Sequence, residues 1–147
     1  MSSESVDAEH ARPEGVPDDA VRAAGTLSEA LEYLERARGH LYSFHQLIGR
    51  ADLLLDDVVE ALRAIDRDDL AERVDGELLG LNVLDGRWTF QVVEEFDDGY
   101  YARFRELERA VRDELVAGRR HVLEAELKQR RRSTGIPGHE ATPPSRG

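Results

Sequence analysis

Leu27, Leu34, Leu41, Ile48, Leu55 and Leu62 recur every seven residues, and Ala30, Ala37, Phe44, Ala51, Val58 and Ile65 repeat that interval three positions on. All twelve positions are apolar, where a chain that is 40% apolar would place about five by chance. An apolar a/d seam lasting more than five heptads must be covered by helices lying lengthwise along it. Leu47, Leu54 and Ala61 widen it on one flank, so the stripe is broad enough to meet more than one neighbouring helix. Gly39 and Gly49 fall outside the seam and each costs roughly 1 kcal/mol relative to Ala. The register passes both, which predicts one helix from Thr26 to about Ile65, with a bend at Gly49 as the alternative. Thr26-Leu27-Ser28-Glu29 reads as its capping box, the Thr hydroxyl and the Glu carboxylate each satisfying an orphan amide.

Asp66-Arg67-Asp68 offers a new cap, and Leu70, Val74, Leu78 and Leu81 mark a short helix over about 68–80. Asp85-Gly86 between apolar residues is a hairpin signal, and Trp88, Phe90 and Val92 alternate. The alternation stops at Val93, so a loop between helices is preferred to an isolated hairpin, which would be marginal. Val93, Phe96, Tyr100, Phe104, Leu107, Val111, Leu115, Gly118 and Val122 then follow an eleven-residue repeat. A second long helix is predicted from about Arg87 to Arg132, with an interruption at Asp98-Gly99 as an alternative. The expected fold is therefore all-α. It is an elongated helical hairpin of two long helices and one short connecting helix, completing a four-helix bundle as an antiparallel homodimer.

The flanks differ in composition. Residues 1–25 hold acids, Ser, Gly15, Pro13 and Pro17 with scattered valines, and read as a disordered acidic tail, with a brief helical turn around Asp18–Ala24 as the alternative. Residues 133–147 hold Gly135, Pro137, Gly138, Pro143 and Pro144 and read as a second tail, leaving 26–132 as the helical domain. No cysteine is present, which excludes a disulfide framework, a thiolate zinc site and a cysteine nucleophile. With no apolar run longer than a triplet and no signal-like N-terminus, a cytoplasmic protein without a membrane partner is expected. A net charge of −11 argues against nucleic acid as a partner. Arg outnumbers Lys 19 to one, a bias that suits either a salt-rich cytosol or a GC-rich genome.

Three groups of residues are candidates for chemistry or recognition. His40 and His45 flank the seam on opposite sides, five residues apart rather than the four that align two ligands on one helix face. A metal site would have to recruit His121 and Glu124 from the last helix, and paired Glu-x-x-His motifs of di-iron bundles are missing. The acidic run Glu94, Glu95, Asp97 and Asp98, beside Tyr100 and Tyr101, is the second group. Taken with Glu32 and Glu35, it resembles the Glu-x-x-Glu and Glu-x-x-Asp magnesium ligands of all-helical nucleotide pyrophosphohydrolases. The two halves lie about sixty residues apart, farther than that family's pattern holds them, and the resemblance covers two short snippets. A solvated acidic face is the plainer reading. Adjacent tyrosines cannot both face one seam, so one belongs at a rim.

The third group is the basic stretch with Arg119, Arg120, Arg130, Arg131 and Arg132. With Lys128 against Glu124 and Glu126 it carries +4, leaving −15 on the rest of the chain. Such an end compensates a helix dipole or pairs with an acidic partner. No aromatics interleave it for stacking on single strands. No phosphate loop, nucleophile elbow or catalytic triad stands out, and no cofactor is implied. The expectation is a non-enzymatic interaction or regulatory scaffold. The alternatives are a metal-binding helical-bundle enzyme or storage protein, and nucleic-acid binding through the basic end.

Overall fold

A computed structural model describes residues 5–142, and among them every regular element is helical. Helix α1 spans Asp18–Ala64, α2 Asp68–Glu77, and α3 Thr89–Phe96. A π-helical turn, Asp97–Tyr101, leads without a break into α4, Ala102–Val116, and α5 covers Val122–Arg131. Among the described residues no helix is long and apolar enough to cross a membrane.

Helix α1 begins eight residues before the capping box, so Thr26 and Glu29 lie inside it. Pro17 fixes the first turn, with its carbonyl accepting from Ala20 and Val21, and Asp18 and Asp19 complement the positive end of the helix dipole. The segment 18–25, assigned above to a disordered tail, is therefore helical. The reason is tertiary, because Val21 and Ala24 are buried with Val116 and Val122. Helix α1 passes Gly39 and Gly49 uninterrupted, with open space where a Cβ would stand. Beyond its last residue, Ala64, the chain turns at Asp66 in the left-handed region (φ 58°), with Arg67 N donating to the Leu62 carbonyl. Asp66 and Asp68 do not cap α2. Arg67 takes the N-cap position and clasps Asp69 through two hydrogen bonds of 3.0 Å.

Asp85-Gly86 forms its tight turn, with Gly86 at φ 69° and a single antiparallel bridge between Leu84 and Arg87. Helix α3 starts directly afterwards, where the Gln91 side chain accepts from Trp88 N at 2.9 Å, so the segment is a loop plus helix. The predicted helix over 87–132 breaks after Val116. Ala117, Gly118 and His121 all take positive φ, which a repeat of apolar positions cannot reveal.

The chain divides into two compact units, one of residues 5–33 with 103–142 and one of residues 34–102. In the first, Val21, Ala24, Val116 and Val122 form the core, with Val111, Leu115 and Leu123 against them. Gly25 lies so close to α5 that a Cβ there would stand 2.6 Å from Leu123 Cδ2 and 2.7 Å from its Cβ. Buried Glu108 binds Arg112 at 3.0 Å and accepts from Ser28 at 2.9 Å. In the second unit Val59, Ala71, Val93 and Tyr101 are buried.

In that second unit the heptad seam of α1 splits lengthwise. Leu34, Leu41, Ile48, Leu55 and Leu62 are half-buried, as are Arg38, His45 and Asp52 four positions on from the first three. This face meets residues of the α2–α3 segment, as the bonds from Asp52 to Gly80 N and from His45 to Thr89 show. The companion series stays open. Ala37, His40, Phe44, Leu47, Ala51, Leu54, Val58, Ala61 and Ile65, alternately three and four apart, are all exposed.

Candidate functional site

Two features of the 34–102 unit are built by its sequence pattern. The first is a clasp around Arg38. Its Nε donates to Asp97 Oδ1 at 2.8 Å and its Nη2 to Asp97 Oδ2 at 3.0 Å, the fork geometry that suits a guanidinium to a carboxylate. Tyr42 OH donates to the same Oδ2 at 3.4 Å. The guanidinium lies 4.6 Å from the centre of the Tyr101 ring and 5.0 Å from that of Tyr42. Tyr101 OH donates to Glu35 Oε1 at 2.6 Å, and Phe96 stacks on both Tyr100 and Tyr101. Hydrogen bonding to Arg38 holds the Asp97 carboxyl below its ordinary range and raises the guanidinium in turn. The π turn brings Asp97 and Tyr101 to this clasp together, the extra residue per turn shifting the facing of the helix.

The candidates of the acidic run therefore separate. Tyr101 is 8% exposed and belongs to the core, which corrects its place among contact residues, whereas Tyr100 is 63% exposed. Asp97 is committed to Arg38, and Glu95 pairs with Arg87 at 2.7 Å. Glu94 and Asp98 face solvent. Glu35 and Asp97, carboxylates of the magnesium-like pattern, are engaged by Tyr101 and Arg38. Among the described residues that pattern converges on no common ligand position.

The second feature is apolar. Of the seventeen large apolar side chains exposed on the described residues, thirteen lie in the 34–102 unit, and the open face of α1 contributes Phe44, Leu47, Leu54, Val58 and Ile65. Leu47 is 66% exposed and Leu54 57%. Nearby, Ile48, Leu55, Leu78, Leu81, Val83 and Trp88 line a cleft of about 420 Å³, with Gly49 also on its wall. Monomeric proteins rarely expose apolar surface on this scale.

The 5–33/103–142 unit holds the remaining candidates. Arg119 donates to the Ala11 carbonyl at 2.7 Å, and Arg132 to Gln129 at 2.9 Å. Arg120, Arg130 and Arg131 are exposed. Arg12 bridges Asp18 at 2.6 Å and Glu126 at 2.7 Å, tying the N-terminal segment to α5. His121 Nδ1 lies 3.1 Å from Glu124. With Glu32, these two form a group of ligand atoms within 4.8 Å of one another, all exposed. Spacing could not disclose the part of Glu32, because it sits about ninety residues away on α1. His40 and His45 lie in the other unit, where His45 Nδ1 bonds Thr89 Oγ1 at 2.8 Å and His40 joins the open apolar series.

No protein-family model matches the chain, and comparison with curated proteins and with solved structures returns no match.

Proposed function

We propose that this protein is a non-enzymatic interaction module that works through the open face of α1, assembling as an antiparallel homodimer that completes a four-helix bundle. One observation carries the reading. The nine-position stripe from Ala37 to Ile65 has the three-and-four spacing of a coiled-coil seam, and its own chain leaves it in solvent. Asp97 and Glu95 of the acidic run are engaged in ion pairs with Arg38 and Arg87 rather than poised around a reacting atom. Light scattering tests it. The wild-type chain is expected at about twice 16.6 kDa at micromolar concentration. Leu47→Glu with Leu54→Glu is expected at the monomer mass with its helical circular dichroism retained. A monomeric wild type overturns the reading.

A second reading, metal binding, draws on the Glu32, His121 and Glu124 group. One imidazole and two carboxylates make a mixed nitrogen and oxygen donor set of the type zinc accepts. Titration calorimetry with zinc should give stoichiometric binding that His121→Ala removes. Absence of heat in the wild type eliminates it.

A further inference from the structure

In the 5–33/103–142 unit the N-terminal segment brings a second histidine to the group formed by Glu32, His121 and Glu124. Its anchors are Ala11 and Arg12. Arg119 Nη1 donates to the Ala11 carbonyl at 2.7 Å, and Arg12 Nη2 donates to Glu126 Oε1 at 2.7 Å, which ties the segment to the turn before α5 and to α5 itself. The residue just before these anchors is His10, and its ring centre lies 6.4 Å from that of His121. The His10 imidazole is also held in orientation. Asp7 Oδ1 accepts from the His10 backbone N at 2.9 Å and lies 2.8 Å from its ring Nδ1. A proton on Nδ1 serves that bond and leaves the lone pair on Nε2, for which the described residues supply no partner. A carboxylate behind one ring nitrogen, with a lone pair on the other, is the arrangement that supports metal-bound histidines.

The spacings suit one small ion. Zinc bonds of about 2.0–2.1 Å in a tetrahedron hold neighbouring ligand atoms about 3.3 Å apart, and His121 Nδ1 stands 3.1 Å from Glu124 Oε1. All three ligand atoms of Glu32, His121 and Glu124 lie within 4.8 Å of one another. Two imidazoles on one zinc place their ring centres about 5 Å apart. His10 therefore has to approach by roughly 1 Å, a shift that a half-buried side chain makes by turning about its χ angles. Charge agrees with the count of ligands. Two carboxylates balance a divalent ion, and two neutral imidazoles complete the closed four-ligand set of a structural site. The guanidiniums nearby are engaged by other groups: Arg112 by buried Glu108, Arg119 by the Ala11 carbonyl, and Arg12 by Asp18 and Glu126.

We propose that His10 is the fourth ligand of a zinc site completed by Glu32, His121 and Glu124, that Asp7 positions it, and that the ion clamps the N-terminal segment onto α1 and α5. This rests on the metal reading above and adds to it the ligand that closes the coordination shell. The test uses the full chain without an affinity tag, stripped by a chelator and titrated with zinc in a calorimeter. The wild type should bind one zinc per chain, and His121→Ala should abolish binding. Asp7→Asn should weaken it about tenfold or more, and His10→Ala by at least the same factor, with helical circular dichroism unchanged. His10→Cys returns a zinc donor to position 10 and should restore what His10→Ala loses. If His10→Cys binds as weakly as His10→Ala, the histidine acts by packing and the proposal fails. Zinc binding that His121→Ala removes and His10→Ala leaves intact overturns the fourth ligand while the three-residue site stands. A wild type that takes up no zinc sinks both. Cobalt(II) in place of zinc supplies an independent readout, because a four-coordinate ion absorbs intensely in the visible and a six-coordinate one weakly. The wild type should give the intense spectrum and His10→Ala should lose it. A weak spectrum from the wild type means that water fills the shell, and it overturns the four-ligand set.

Discussion

Gly25 shows how a single residue fixes the approach of two helices. The Cβ that any other residue carries would stand 2.6 and 2.7 Å from two atoms of Leu123, one of them close to the α5 backbone and unable to swing away. Gly25→Ala is expected to lower stability by about 1–3 kcal/mol in urea unfolding, against the usual gain from Gly to Ala in a helix. Glu108 acts through its partners. It is buried, and its loss leaves the Arg112 guanidinium without its carboxylate while the hydrogen bond to the Gly118 carbonyl remains. Glu108→Ala should cost about 2–3 kcal/mol by the same measurement. Asp97 gives a pH signature. Its folded pKa is depressed by Arg38 from an ordinary value of 3.8, so its contribution is complete above that value and disappears as pH falls through the lower folded one. Asp97→Asn should therefore melt below the wild type at pH 7, and the two melting temperatures should converge under strong acid. A gap that persists unchanged at low pH would assign the effect to something other than the ion pair.

At the scale of elements, periodicity revealed the helices, and tertiary packing decided where they begin and end. The heptad repeat made α1 legible as one helix through two glycines, but the capping box at Thr26 was overridden by burial of Val21 and Ala24, which precede it. The eleven-residue repeat carried across 117–121 because Gly118 and Val122 keep the spacing while the backbone turns through positive φ. Composition held one cue to this break, Gly118. Ala117, at φ 54°, is the costly residue there, since its Cβ disfavours that conformation. Ala117→Gly is expected to stabilise the turn by up to about 1 kcal/mol in thermal or urea unfolding, and a loss of stability would show that the turn is not strained. The acidic run was visible in the sequence, whereas its internal division was not. Which of Tyr100 and Tyr101 goes inside depends on the π turn, and no side-chain spacing announces one.

For the whole molecule, the seam was legible and its partition was not. A repeat states that a stripe must be covered, and it is silent about whether the same chain or another one does so. Here the chain covers the half that runs through Leu34, Leu41, Ile48 and Leu55, and leaves Phe44, Leu47, Leu54 and Val58 outside. That division has a thermodynamic consequence. If the open half is covered by a second copy, unfolding releases two chains, and the melting temperature must rise with protein concentration because mass action favours the associated state. The wild-type melting temperature should increase by several degrees across a hundredfold concentration range in differential scanning calorimetry, while the Leu47→Glu, Leu54→Glu variant should melt at one temperature throughout. The variant's plateau should also lie below the wild type at high concentration and approach it on dilution, because only the intermolecular part of the seam has been removed. A wild-type midpoint that ignores concentration would leave thirteen large apolar side chains of one unit in water with no copy of the chain to hide them, and the stripe would then have to serve a different helix altogether.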